Sequence, residues 1–158
     1  MMRWFGLATL ALLIAAAGGI GILGLRGGRV GGETGPVVLV SGRDDHGLLR
    51  EHSVRLFREP GSAAVAGEVH DGRLARVIEA RGQWLRVRAL GAPAAEGWVD
   101  DFYLRDRAVR RDGGQVELAD AVQEGEALKV AVRPVGDARG PVTWVDPSTL
   151  SEVGAQGD

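Results

Sequence analysis

Two groups of side chains in this chain are of types that could do chemistry. In SGRDDHGLLREHS, residues 41–53, Asp44, Asp45 and His46 stand side by side. Two carboxylates and an imidazole are metal ligands and acid/base groups, with His52, His70 or Asp71 as more distant partners. The same run is also good turn chemistry, because Asp accepts backbone N–H bonds and Gly47 tolerates positive φ. A third use of the loop is direct contact with a ligand. The second group is aromatic and acidic: Trp84, Trp98, Asp100, Asp101 and Tyr103, all within GQWLRVRALGAPAAEGWVDDFYL, residues 82–104. Aromatic faces beside carboxylates suit a ligand that carries a cationic group.

Composition narrows the classes. The chain has no cysteine, which excludes disulfides, a thiolate nucleophile and a Cys-based zinc site. It holds no Gly-x-Ser-x-Gly elbow, no His-Glu-x-x-His and no phosphate loop, and its serines lack an activating context. The expectation is therefore a non-catalytic binding module with no catalytic residue, no cofactor and no metal. Two alternatives stay open: a structural or scaffolding protein without a small ligand, and a metal-dependent hydrolase using Asp44, Asp45 and His46. From residue 31 onward the three early arginines drop out, leaving 16 basic against 21 acidic residues and a formal charge of −5. Such a surface is a poor partner for nucleic acid.

Strands must position these groups. From Trp84 the apolar Leu85, Val87 and Ala89 alternate with Arg86 and Arg88, the period of two of a strand with one face on a core. Trp84 falls on the arginine face, either as a rim residue or as part of a binding surface. Residues 92–95, APAA, fit a turn between antiparallel strands, with φ fixed at Pro93. Upstream, strands are expected at 54–57 and 74–79, the latter entered through Asp71 and Gly72. The apolar VVLV at 37–40 adds another, and Leu48 and Leu49 are expected to pin the polar loop to the core.

The closing residues Gly97, Trp98, Val99, Tyr103 and Leu104, with Gly82 and Trp84 at the strand start and the VRLFREPGS opening, resemble a Src-homology-3 domain of the bacterial kind over roughly residues 53–105. The resemblance implies an all-β fold: a small SH3-like barrel of about five short antiparallel strands. It also implies a shallow aromatic groove at Trp84 and Tyr103, and a peptide or peptidoglycan component of the cell envelope as partner. Asp100 stands where eukaryotic relatives carry a groove proline, which argues against proline-rich peptides.

Organisation along the chain follows. Residues 4–25 form an uncharged apolar run that, as a helix rising about 1.5 Å per residue, spans a hydrocarbon core of about 30 Å. Residues 1–26 are thus expected to be a signal anchor, a single transmembrane helix contacting membrane lipid, with the barrel extracytoplasmic. Cleavage after Ala15, Ala16 and Ala17, giving a secreted form, is the alternative. The small-residue pairs Ala15/Gly19 and Ala17/Gly21 could support helix-mediated self-association. A linker follows at 27–36, the barrel at 37–105 and a charged connector at 106–115. A C-terminal β segment at 116–152 extends the barrel and echoes half of it, ahead of a frayed tail at 153–158. In the echo Gly125 corresponds to Gly82, Leu128 to Leu85, Trp144 to Trp98 and Thr149 to Tyr103.

Overall fold

The computed structural model describes residues 35–152. Within them run twelve strands: β1 (Val37–Val40), β2 (Ser53–Phe57), β3 (Val65–His70), β4 (Leu74–Arg81), β5 (Trp84–Ala89), β6 (Glu96–Asp100), β7 (Leu104–Arg105), β8 (Arg107–Arg110), β9 (Gln115–Glu124), β10 (Ala127–Pro134), β11 (Thr143–Val145) and β12 (Leu150–Glu152). Short 3-10 turns at Asp101–Tyr103 and Pro147–Thr149 precede β7 and β12. The strands form a seven-stranded sheet, β3-β2-β6-β5-β4-β1-β7, and a five-stranded sheet, β11-β10-β9-β8-β12.

This architecture corrects the expected single barrel with a C-terminal extension preceded by a transmembrane helix. Two antiparallel sheets are present, each with its own core. Among the described residues no helix is long and apolar enough to cross a membrane. The run at 4–25, its small-residue pairs, the linker up to residue 34 and the tail at 153–158 lie outside the described residues.

The second sheet repeats the pairing pattern of the first. In the first, β1 pairs β4 and β7, β4 pairs β5, and β5 pairs β6. In the second, β8 pairs β9 and β12, β9 pairs β10, and β10 pairs β11. The correspondence reaches the turns. Asp100 caps the first 3-10 turn through Phe102 N–H and Asp146 caps the second through Ser148 N–H. Ser41 N–H donates to Tyr103 O at 2.7 Å, and Arg111 N–H to Thr149 O at 3.0 Å. The second copy therefore begins at β8, inside the stretch 106–115 that its alternating charges suggested was a connector. Among the described residues it lacks a counterpart of the β2–β3 hairpin.

Strand β1 divides its side chains evenly between the two cores. Val37, Val38, Leu39 and Val40 are each no more than 2% exposed. Val38 and Val40 face the first core with Val54, Leu56, Val77, Val87 and Leu104, whereas Val37 and Leu39 face the second with Leu74, Ala108, Val116, Val130 and Val132. A strand covered on both faces has no use for polar alternation, which explains the unbroken VVLV. Residues from both ends of the first strand order share its core, so that sheet curls around it.

Two buried polar ties join the sheets. Arg76 on β4 donates to Gly35 O and Ala121 O, each at 2.7 Å, and to Asp120 Oδ1 at 3.0 Å. Glu152 on β12 accepts from the Ser41 hydroxyl and lies near Arg43 and Arg105. Burial pushes the Glu152 carboxyl above its ordinary value, and nearby Asp71 adds to that push; the Ser41 hydroxyl, Arg105 and Arg43 oppose it.

The packing on either side of β5 can be checked by substitution. Val87 is fully buried and Arg88 sits on the opposite face, its Nε 2.8 Å from Glu96. Val87→Asp should lose about 3–5 kcal/mol and unfold the protein, whereas Arg88→Asp should cost about 1 kcal/mol; equal losses in urea melts would contradict the facing. For Glu152, the native state keeps its proton at pH values where the unfolded chain, at about 4.3, has released it. Its contribution to stability is therefore largest below the unfolded value and is lost as pH rises through the native one. Glu152→Gln removes that titration, so the stability difference between wild type and variant should change across this window; a difference constant with pH would contradict the raised value.

Candidate functional site

The outer face of β5, β6 and β2 gathers the aromatics. Cross-strand neighbours share a face, and Trp98 lies opposite Arg86 on one side and Phe57 on the other, while Trp84 lies opposite Asp100. The Phe57 and Trp84 rings meet edge to face at 6.1 Å. The Arg81 guanidinium lies 4.8 Å above the Trp98 ring. Trp98 is consequently only 4% exposed, whereas Trp84 is half-buried. Gly97 shows why the hairpin fits so closely, because a Cβ there would sit 2.8 Å from Leu56 Cβ and 2.9 Å from Phe57 O. Around the cluster Arg86 pairs with Glu96 at 2.5 Å and Arg81 with Glu79 at 2.7 Å.

Beyond Trp84 the surface turns acidic. Asp100 accepts from Gln83 Nε2 at 2.8 Å and from Phe102 N–H at 3.0 Å. Asp101 is pushed above the ordinary carboxyl range by partial burial, then by its hydrogen bond to and repulsion from Asp100; the Phe102 N–H opposes this. A carboxyl raised by a carboxylate neighbour gains most from an arriving cation. Tyr103 packs against the first core and donates its hydroxyl to Glu51 Oε1 at 2.9 Å. Its phenol is raised by burial first, then by Glu51 and Asp100, with Arg55 pulling the other way. Phe102, 45% exposed, sits edge to face with Tyr103 at 5.4 Å. Trp84, Asp100, Asp101 and Tyr103 thus lie along one surface, whereas Trp98 is buried next to it.

The structure adds Phe57, Phe102 and Glu51 to that surface. Phe57 stood in a recognised strand, but nothing local announced its partner. Glu51 is brought in by a loop whose closure depends on Gly42: a Cβ on Gly42 would fall 1.8 Å from Glu51 O.

The polar loop spends its chemistry on itself. Asp44 accepts from His46 N–H at 2.9 Å, Leu48 N–H at 3.1 Å and Arg50 Nε at 2.8 Å. Desolvation pushes its carboxyl up, but Arg50 and the two amides outweigh this and hold it below the ordinary value. Asp44 therefore organises its own turn, with Asp45 and His46 exposed beside it. Among the described residues no group of three or more His, Asp or Glu side chains could hold a metal ion. Leu48 is 57% exposed and Leu49 37%, so neither pins the loop; Arg43 does so by donating to Gly47 O at 3.0 Å. Ser53 Oγ lies 2.7 Å from His70 Nδ1 as an exposed cross-strand pair on β2 and β3.

A cleft of about 490 Å³ lies outside the aromatic surface, between Arg110, Arg111 and Asp112 on one side and Val145, Asp146 and Thr149 on the other. By the strand correspondence this is the place that the loop 42–51 and Tyr103 occupy in the first copy. The second copy turns there through Gly113 and leaves the cleft open.

No protein family, no curated protein and no solved structure matches the chain.

The packing predicts an order of mutational cost. Tyr103→Ala empties space against the core and should cost about 3 kcal/mol. Trp84→Ala, which removes an outer-face ring resting on Phe57, should cost about 1 kcal/mol. Urea unfolding of both variants checks this, and a larger loss at Trp84 would mean that it seals the core.

Proposed function

We propose that this protein is a non-catalytic binding module that recognises a peptide bearing a cationic group, such as the amine-carrying stem peptide of peptidoglycan, at the cell envelope. The observation that carries the reading is the Asp100–Asp101 carboxylate pair, with Asp100 opposite Trp84, whose ring meets Phe57, and Asp101 raised by partial burial and then by Asp100. An ammonium there relieves the repulsion between the carboxylates, while the apolar stem of the same side chain packs on the rings. Glu51 adds a carboxylate beside Tyr103, so a ligand crossing from Trp84 to Tyr103 meets aromatic and acidic contacts in turn. The resemblance of residues 53–105 to bacterial Src-homology-3 domains supports a peptide ligand, and the uncharged run at 4–25 supports the envelope.

The test is a titration of the protein with a muropeptide carrying a free side-chain amine, followed through the tryptophan indole NMR signals. The Trp84 signal should shift, and N-acetylation of the amine should weaken binding at least tenfold. Trp84→Ala should cost about 2 kcal/mol or more in affinity. Because the ligand competes with a proton for the Asp100–Asp101 pair, affinity should fall as pH drops through the raised Asp101 value. Equal affinity for the free and acetylated amines, or no shift at Trp84, would overturn the reading.

A further inference from the structure

We propose that Glu152, at the end of the second repeat, is the positioning residue of the first repeat's recognition surface: it fixes the loop 42–51 so that Glu51 stands on Tyr103. The inference rests on the proposed recognition role only for what the surface is used for.

A chain of polar contacts joins the two residues. Glu152 is 7% exposed and accepts from the Ser41 hydroxyl, with Arg43 Nε 3.5 Å from Oε2 and Arg105 Nε 3.8 Å from Oε1. Arg43 uses the same Nε on Asp71 Oδ2 at 3.3 Å and reaches Gly47 O through Nη1 at 3.0 Å, spanning the loop from base to tip. Asp71 Oδ1 in turn accepts from Gly42 N–H at 2.7 Å. Gly42 O then accepts from Arg50 N–H at 2.8 Å and Glu51 N–H at 3.0 Å, which closes the loop and sets Glu51. Arg105 Nη2 steadies Arg43 O at 3.3 Å from the other side. Glu51 finally accepts from the Tyr103 hydroxyl at 2.9 Å.

Removing the Glu152 carboxylate leaves Arg43 with Asp71 as its remaining counter-charge and takes from Arg105 its ion-pair partner among the described residues, and both guanidinium groups touch the loop backbone. Breaking such a pair from one side leaves a charge that must find water, and here it does so by opening the loop. Glu152 Oε2 has no hydrogen-bond partner among the described residues, so the carboxylate is held at this place by charge and by Ser41 rather than by a full set of hydrogen bonds. Positioning the loop gives the second repeat a role of its own, since it lacks the aromatic hairpin and yet its last strand builds the surface of the repeat that has one.

The chain has a single tyrosine, so its ultraviolet titration reports Tyr103 alone and needs no ligand. Glu51→Gln sets the scale, moving the phenol down toward its ordinary value. Glu152→Ala in the full chain should move it down to a similar extent while far-ultraviolet circular dichroism stays native. Ser41→Ala should move it in the same direction by less, and it decides the matter if Glu152→Ala does not fold. A phenol that titrates as in wild type in a folded Glu152→Ala or in Ser41→Ala overturns the proposal. Because no ligand enters the measurement, a surface that binds no muropeptide leaves this result standing, and the two readings fail separately.

Discussion

The burial of β1 on both faces is the constraint on which the rest of the structure depends. Each of its four apolar side chains contributes roughly 1.5–3 kcal/mol when removed from water. They are divided between two cores that have no residue in common. Neither sheet could bury that strand alone: β4 and β7 flank its edges, and the second sheet must cover the face that Val37 and Leu39 present. Arg76 and Glu152 then fix the registry of the two layers, since a buried charge tolerates only the arrangement that satisfies it.

From this follows an unequal division between the repeats. Both share the pairing pattern and the Asp-capped 3-10 turn, but among the described residues only the first carries the β2–β3 hairpin and the loop 42–51. The hairpin brings Phe57 against Trp98 and makes the surrounding face aromatic. In the second repeat the corresponding Trp144 lies on an edge strand and is 48% exposed. The insertion thus converts an ordinary strand edge into a surface with an aromatic half and an acidic half, and the loop after β1 supplies Glu51 to the acidic half.

Much of the first sheet was legible in the sequence because its strands obey the period of two. The facing of Leu85, Val87 and Ala89 against Trp84, Arg86 and Arg88 is an example. The echo in the second repeat shows in the order of its elements, but its residue matching slips: with Trp144 in the place of Trp98, the pairing with Val145 puts Val130, not the expected Leu128, in the place of Leu85. Where the sequence misled, long-range packing decided. Arg107–Arg110 alternates charge with apolar residues and reads as a solvated linker, yet Ala108 is fully buried under β1 and makes it a strand. β3 escaped notice because an edge strand with only Val69 buried has no alternation to show. Trp98 looked like a contact residue, and it is buried only because Phe57 and Arg81, remote in sequence, cover it. Glu51 and Glu152 carried no local signal, since their roles arise from partners 52 and 111 residues away.

If one doubly buried strand makes the two sheets a single cooperative body, neither sheet can unfold while the other stays native. Urea unfolding followed by amide NMR reads this out by comparing Val87 on β5 with Val130 on β10, each fully buried in its own core. Both native signals should disappear at the same urea concentration, with coincident slopes. Loss of the Val130 signal at lower urea, with that of Val87 still native, would show that the second sheet unfolds by itself and that the shared strand does not bind the two into one unit.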